Sequence, residues 1–135
     1  GVLAALGAAH AFVVHGEGLD EIAITGMTHV CEVKGAVTDR YAMLPEDIGL
    51  RRHPETEIAG ADPDQNARIL RDVFSGQAGG PRDAVLANAA AALVCAGAAK
   101  DLRAGVKLAA ESIDRGAAAE KLARLVAVSS GEGGS

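Results

Sequence analysis

The chain has 135 residues, of which 49% are hydrophobic and 23% are charged, and its formal net charge is −5. This length suits a single domain with one core, which we assign to residues 1–128, with a Gly- and Ser-rich flexible tail at 129–135. The acidic balance and the near absence of aromatic residues disfavour nucleic-acid binding, and no apolar run is long enough to cross a bilayer.

The two cysteines, Cys31 and Cys95, are far apart and form no Cys-x-x-Cys motif. Such spacing is typical of free thiols in a reducing compartment rather than of a disulfide framework. The N-terminus also lacks the basic start and the cleavage site of a signal peptide. We therefore expect a cytoplasmic protein.

The N-terminal part of the chain predicts the end of a helix and three strands. The opening "GVLAALGAAHAF" indicates the last turns of a helix leading into a strand. The continuous apolar run at residues 11–14 is typical of a strand buried on both faces of a sheet. Residues 28–34 and 37–44 alternate on either side of Gly35, which predicts a hairpin that Pro45 ends.

Four helices are predicted in the remainder of the chain. The first begins with Asp62 as N-cap and Pro63 at the first helical position. The second, at about residues 81–96, is Ala-rich and is expected to be the central buried helix. The third covers 101–115, and the fourth, at about 117–128, is expected to bury Leu122 and Leu125.

The second helix also carries two polar features. Asn88 lies among alanines, and because a buried amide needs hydrogen-bonding partners, we expect it to brace a neighbouring loop. Arg82 and Asp83 could contact an anion at the helix N-terminus, but an acidic residue favoured by the helix dipole explains them more simply.

These elements predict an α/β fold with few strands, one buried strand plus a hairpin, packed with about four helices. The buried strand has no obvious partner in such a set. We therefore expect the chain to be part of a longer protein.

An acidic pair follows the first strand. Gly16 and Gly18 allow the chain to leave the strand sharply and allow backbone to approach a ligand, and Asp20 and Glu21 come directly after. In open α/β sheets ligands collect beyond the carboxyl ends of strands. On the residues alone, the pair is either a solvated loop or a cation site.

The histidines give a weaker signal than the acidic pair. His15, in the turn beside Gly16 and Gly18, is expected to fix the turn through a backbone hydrogen bond rather than to act as a general base. His10, His29 and His53 have no metal-like spacing with it and are expected to be structural or exposed.

Five blocks of sequence occur in an order that resembles one enzyme family. They are "VVHGEGLDEIAITGMTHVCEVKG", "LPEDIGL", "DQNARILRDVFSG", "GGPRDAVLANAAAALVCAG" and "AAESIDRGAAAEKLARL". Together they resemble the C-terminal part of the α/β domain of the anthranilate phosphoribosyltransferases. These enzymes of tryptophan biosynthesis transfer the phosphoribosyl group of phosphoribosyl pyrophosphate to anthranilate and release pyrophosphate.

The resemblance implies that Asp20 and Glu21 hold Mg²⁺ on the pyrophosphate side, and that no side chain of this chain is a catalytic acid or base. A hard cation held by carboxylates would offset the charge that develops on the leaving group. The resemblance also implies a homodimer in the intact enzyme, through an N-terminal helical domain that this sequence does not contain.

Other family elements are also missing from the sequence. These are the glycine-rich "GTGGD" phosphate loop, the lysine-containing segment beside it and the arginine that holds anthranilate. We therefore expect this chain alone to be inactive. Two alternatives stay open: a non-catalytic binding relative of the same fold, and a nucleoside phosphorylase-like enzyme.

Overall fold

The computed structural model describes residues 1–60 and 62–131. It contains three antiparallel strands and five helices, which confirms the α/β class and the predicted hairpin and helices. Ser129 belongs to the last helix, and residues 132–135 of the predicted tail lie outside the described residues. The elements are α1 (Val2–Ala5), β1 (His10–Gly16), β2 (Thr28–Lys34), β3 (Val37–Met43), 3₁₀ turns at Pro45–Ile48 and Glu55–Glu57, α2 (Pro63–Phe74), α3 (Gly80–Cys95), α4 (Leu102–Asp114) and α5 (Ala117–Ser129).

The sheet is a meander with the strand order β1-β2-β3. β1 pairs with β2 in a register that runs from His10 opposite Lys34 to Gly16 opposite Thr28. The expectation of a strand buried on both faces and left without a partner is therefore wrong. In β1 the side chain of Val13 is 51% exposed, whereas Phe12 and Val14 pack against the core.

Two capping side chains and one glycine place helix ends close to where the sequence predicts them. The Asp62 carboxylate accepts a hydrogen bond from the Gln65 amide at 2.8 Å, and the Asp101 carboxylate accepts one from the Ala104 amide at 2.7 Å. Each cap satisfies an amide that has no partner within its own helix. Gly116, with a φ of +78°, separates α4 from α5 without the steric penalty that a Cβ would bring.

The core lies between the sheet and the helices, and α3 is its central helix as predicted. α3 and α4 cross closely at Gly105, where an added Cβ would lie 2.9 Å from the backbone of Ala90. The buried hydrophobic cluster contains Ile22, Ile24, Val30, Met43, Ile48, Val73, Leu86, Ala87, Ala90, Val106, Ala109 and Ile113.

The last helix is less buried than its sequence pattern suggests. Leu122 is partly buried, but Leu125 is 64% exposed, so the prediction that both are buried is wrong for Leu125. No residue of α5 is fully buried. None of the helices in the described part of the chain combines the length and the hydropathy needed to cross a membrane.

Candidate functional site

The acidic pair lies on the loop of residues 17–27 that connects β1 to β2. The loop is closed at its base because the Glu17 amide donates to the Met27 carbonyl at 2.9 Å, and the Leu19 amide donates to the Gly16 carbonyl at 3.1 Å. Asp20 and Glu21 follow this turn, and both are exposed. The loop therefore presents two adjacent carboxylates to solvent at the end of β1.

The two glycines before the pair have different roles. Gly18 has a φ of +76°, a conformation that glycine adopts without strain. Gly16 is buried, and a Cβ there would lie only 2.6 Å from the carbonyl oxygen of Glu21 and 2.7 Å from the Cβ of Ala23. Gly16 thus lets the backbone of the acidic loop itself, rather than a ligand, rest on the end of the strand.

The segment after the pair is held by a side chain of α3. The Ile22 amide donates to Asn88 Oδ1 at 3.0 Å, and Asn88 Nδ2 donates to the Ile22 carbonyl at 3.3 Å and to the Ala84 carbonyl at 3.0 Å. The Ala23 amide donates to the buried Thr28 hydroxyl at 2.9 Å. The predicted loop-bracing role of Asn88 is confirmed.

A second link to α3 runs through His53, whose side chain is fully enclosed. Its backbone amide donates to the Ile24 carbonyl at 2.9 Å. Its Nδ1 lies 2.8 Å from Glu57 Oε2 and its Nε2 lies 2.8 Å from Asp83 Oδ2. The hydrogen bond from His53, together with one from the Gly80 amide, holds the pKa of Glu57 below its usual value despite some desolvation.

The sequence indicated only that His53 is structural or exposed and that Asp83 suits a helix start. Their pairing joins residues that are 30 positions apart, and no local pattern signals such a contact. Arg82, the neighbour of Asp83, pairs with Asp114 at 2.7 Å. Asp83 is thus engaged by His53, whereas Arg82 Nη1 is buried without a hydrogen-bond partner among the described residues.

The remaining histidines do not gather around the acidic pair. His15 is exposed and lies opposite His29 in the strand register, and no hydrogen bond from its ring is found within residues 1–60 and 62–131. The expected turn-fixing bond of His15 is thus not observed. His10 lies 2.8 Å from Glu32 Oε1, at the far end of β1.

The donor set of the loop fits a magnesium ion. Carboxylate oxygens are hard ligands, and Mg²⁺ commonly takes one or two of them and completes its shell with water and substrate phosphates. Across the described ranges, no group of three or more His, Cys, Asp or Glu residues could hold a metal by itself. A cation at Asp20 and Glu21 would therefore take its other oxygen ligands from water and a bound substrate.

Comparison with known proteins identifies the family. The profile described as "Glycosyl transferase family, a/b domain" matches residues 1–119. The chain belongs to this family. Among its curated members, the anthranilate phosphoribosyltransferase of Anaeromyxobacter sp. (strain Fw109-5) is 77% identical over 131 residues, which are 97% of this chain and 39% of that protein.

Solved structures in this family have the same fold. The anthranilate phosphoribosyltransferase of Thermus thermophilus is 38% identical with a TM-score of 0.80, over 87% of this chain and 35% of that one. The Saccharomyces cerevisiae enzyme in complex with 4-fluoroanthranilate is 31% identical with a TM-score of 0.74, over 84% of this chain and 34% of that one. The same yeast enzyme in complex with PRPP (phosphoribosyl pyrophosphate) and Mg is 31% identical with a TM-score of 0.72, over 82% of this chain and 32% of that one.

These matches confirm the resemblance to the anthranilate phosphoribosyltransferases. They also show that the chain spans about two fifths of the length of the curated relatives it matches.

Proposed function

We propose that this chain is the C-terminal part of the α/β domain of an anthranilate phosphoribosyltransferase. The intact protein would transfer the phosphoribosyl group of phosphoribosyl pyrophosphate to anthranilate, with release of pyrophosphate, as a step of tryptophan biosynthesis. We place the intact enzyme in the cytoplasm and expect it to be a homodimer. The support is the family match together with relatives named for this reaction and solved with PRPP and Mg.

The observation that carries the proposal is the exposed pair Asp20 and Glu21 on a loop with a fixed backbone. The loop is closed at its base, rests on Gly16 and is hydrogen-bonded to α3 through Asn88. Two carboxylates held in this way can bind and orient a magnesium ion with little further ordering of the chain. When bound, that ion would offset the negative charge that builds on the pyrophosphate leaving group.

The remaining substrate-binding elements would come from outside these residues. The family's glycine-rich phosphate loop and its anthranilate-binding arginine do not occur in the sequence. Because positioning of both substrates supplies most of the catalysis in such a transfer, we expect these 135 residues alone to show no turnover.

The test uses the loss of anthranilate fluorescence in the presence of phosphoribosyl pyrophosphate and Mg²⁺. The intact gene product that contains this chain is compared with its double variant Asp20→Asn/Glu21→Gln. Removing the two charges without changing side-chain size should lower kcat/KM by more than about 100-fold, the scale of losing a charge-stabilising group at an active site. The half-saturating Mg²⁺ concentration should also rise.

The matched control is Glu111→Gln/Glu120→Gln, which removes two carboxylates that are exposed on α4 and α5. This control should keep activity and magnesium dependence within about twofold, because exposed charges contribute little, including the exposed pair of Glu111 with Arg115 at 3.5 Å. Inactivity of the intact wild-type protein would favour a non-catalytic relative, and phosphorolysis of nucleosides would favour the phosphorylase alternative. Equal activity of both double variants would remove the metal role from Asp20 and Glu21.

A further inference from the structure

The peptide unit between Glu21 and Ile22 is held from two sides by distant parts of the chain. On one side its carbonyl oxygen rests on Gly16 of β1, so closely that a Cβ would approach it to 2.6 Å. On the other side its N–H donates to Asn88 Oδ1 at 3.0 Å, across 66 positions of sequence. This peptide unit is therefore clamped between β1 and α3.

Asn88 is well suited to hold the peptide in one position. Its Nδ2 donates to the Ile22 carbonyl at 3.3 Å and to the Ala84 carbonyl of its own helix at 3.0 Å. The contact with Ala84 fixes the carboxamide against α3, with Oδ1 at the Ile22 amide and Nδ2 at the Ile22 carbonyl. Because the same amide contacts both polar groups of Ile22, it restricts rotation of the backbone on either side of that residue.

The helix that carries Asn88 is itself fixed near the loop. Asp83, which lies near the start of α3, contacts the ring of His53 at 2.8 Å, and the backbone amide of His53 donates to the Ile24 carbonyl at 2.9 Å. Ile22 and Ile24 are both buried. α3 thus reaches the loop at two points, directly at Ile22 and through His53 at Ile24.

We propose that Asn88 is a positioning residue for the acidic pair. By holding Ile22 in place, its carboxamide sets the backbone that carries Asp20 and Glu21, so that both carboxylates already lie near the arrangement a divalent cation needs. This inference rests on the proposed magnesium role of the pair. Without Asn88 the loop would have to become ordered when the cation binds, and that ordering lowers affinity.

The test measures cation binding directly rather than turnover. Mn²⁺ is titrated into the intact gene product in the presence of phosphoribosyl pyrophosphate, and free Mn²⁺ is followed by electron paramagnetic resonance. Asn88→Ala should raise the dissociation constant of Mn²⁺ roughly tenfold, the lower end of what loss of an outer contact does to metal sites. This increase in the dissociation constant has to be larger than the increase caused by destabilising the fold.

Val94→Ala is the matched control. Val94 is a buried residue on the same helix, about 9 Å along its axis from Asn88, and it lines a cleft with Phe12 and Ile48. Truncation there should destabilise the fold while leaving the dissociation constant within about twofold of the wild-type value. An Asn88→Ala protein whose dissociation constant matches that of Val94→Ala would overturn the positioning role.

Two further measurements keep the outcomes distinct. If Asp20→Asn/Glu21→Gln binds Mn²⁺ like the wild type, the metal role proposed for the pair fails, and the positioning role fails with it. If that variant loses binding while Asn88→Ala keeps it, only the positioning role fails. Amide exchange of the wild-type protein, which does not depend on any variant folding, should show the Ile22 amide exchanging far more slowly than those of Asp20 and Glu21. Equally fast exchange at all three would contradict the clamp.

Discussion

Replacing Gly16 with alanine is expected to destabilise the chain and to loosen the acidic loop. The new Cβ would lie 2.6 Å from the Glu21 carbonyl oxygen, 2.7 Å from the Ala23 Cβ and 3.0 Å from the Ala23 nitrogen. Carbon and carbonyl oxygen atoms ordinarily approach to about 3.3 Å. The segment that carries Glu21 would therefore have to move by roughly 0.7 Å away from β1.

A movement of that size is not compatible with the hydrogen bonds that hold the segment. The Ile22 amide lies 3.0 Å from Asn88 Oδ1, and the Ala23 amide lies 2.9 Å from the Thr28 hydroxyl. Because the Glu21–Ile22 peptide lies between β1 and α3, a shift away from β1 presses the Ile22 amide towards Asn88 and takes both amides out of hydrogen-bonding geometry. Overpacking costs about 1–3 kcal/mol and each of the two lost hydrogen bonds about 1 kcal/mol, which together give a loss of about 3–5 kcal/mol in the free energy of unfolding.

Urea unfolding measures this loss, and Gly18→Ala is its control. Gly18 adopts a positive φ, +76°, but an added Cβ would meet no atom within 4 Å. Its substitution should cost only the backbone strain of about 1 kcal/mol. Amide exchange should also quicken at residues 20–24 in Gly16→Ala. A Gly16→Ala protein that is as stable as Gly18→Ala, with unchanged exchange there, would refute the close packing of Glu21 on β1.

Three further predictions concern titration, packing and exposure. Desolvation, and then the nearby Glu32 carboxylate, raise the pKa of Tyr41, the only tyrosine, to about 12. Absorbance at alkaline pH should show this pKa, and Glu32→Gln should lower it only in part, because desolvation remains. Since the folded pKa is higher than the usual 10, Tyr41 should contribute stability below pH 10 that is lost as pH rises through 12. Gly105→Ala would bring a Cβ to 2.9 Å from Ala90 and should cost about 1–3 kcal/mol in urea unfolding, so an unchanged midpoint would contradict the close crossing of α3 and α4. Leu125→Ser should change stability by less than about 0.5 kcal/mol, because this side chain is 64% exposed; a loss of about 2 kcal/mol would show that it is buried.

The features that sequence reasoning predicted correctly depend on neighbouring residues. Asp62, predicted as an N-cap, sits three positions before the amide it caps, and the β2–β3 hairpin is signalled by alternation around a single glycine. The role of Asn88 is predictable for the same reason, because an amide in an Ala-rich helix must find partners. In each case the chemistry of a short stretch restricts the structure to few possibilities.

The features that it missed depend on contacts between distant parts of the chain. The apolar run in β1 does not reveal that β2 pairs with it and leaves Val13 exposed. The pattern of α5 shows an apolar face but not whether another element covers Leu125. The contact of His53 with Asp83 follows only from the packing of α3 against the segment between the two 3₁₀ turns. The periodicity of apolar residues describes one element at a time and therefore cannot predict which other elements contact it.

The proposed function requires that Asp20 and Glu21 hold a divalent cation. Anomalous diffraction from crystals of the intact gene product grown with Mn²⁺ and phosphoribosyl pyrophosphate tests it most directly. We expect a manganese peak within about 2.3 Å of a carboxylate oxygen of Asp20 or Glu21, close to the roughly 2.0–2.1 Å that Mg²⁺ adopts. A manganese ion bound to the pyrophosphate but out of reach of both carboxylates would contradict it.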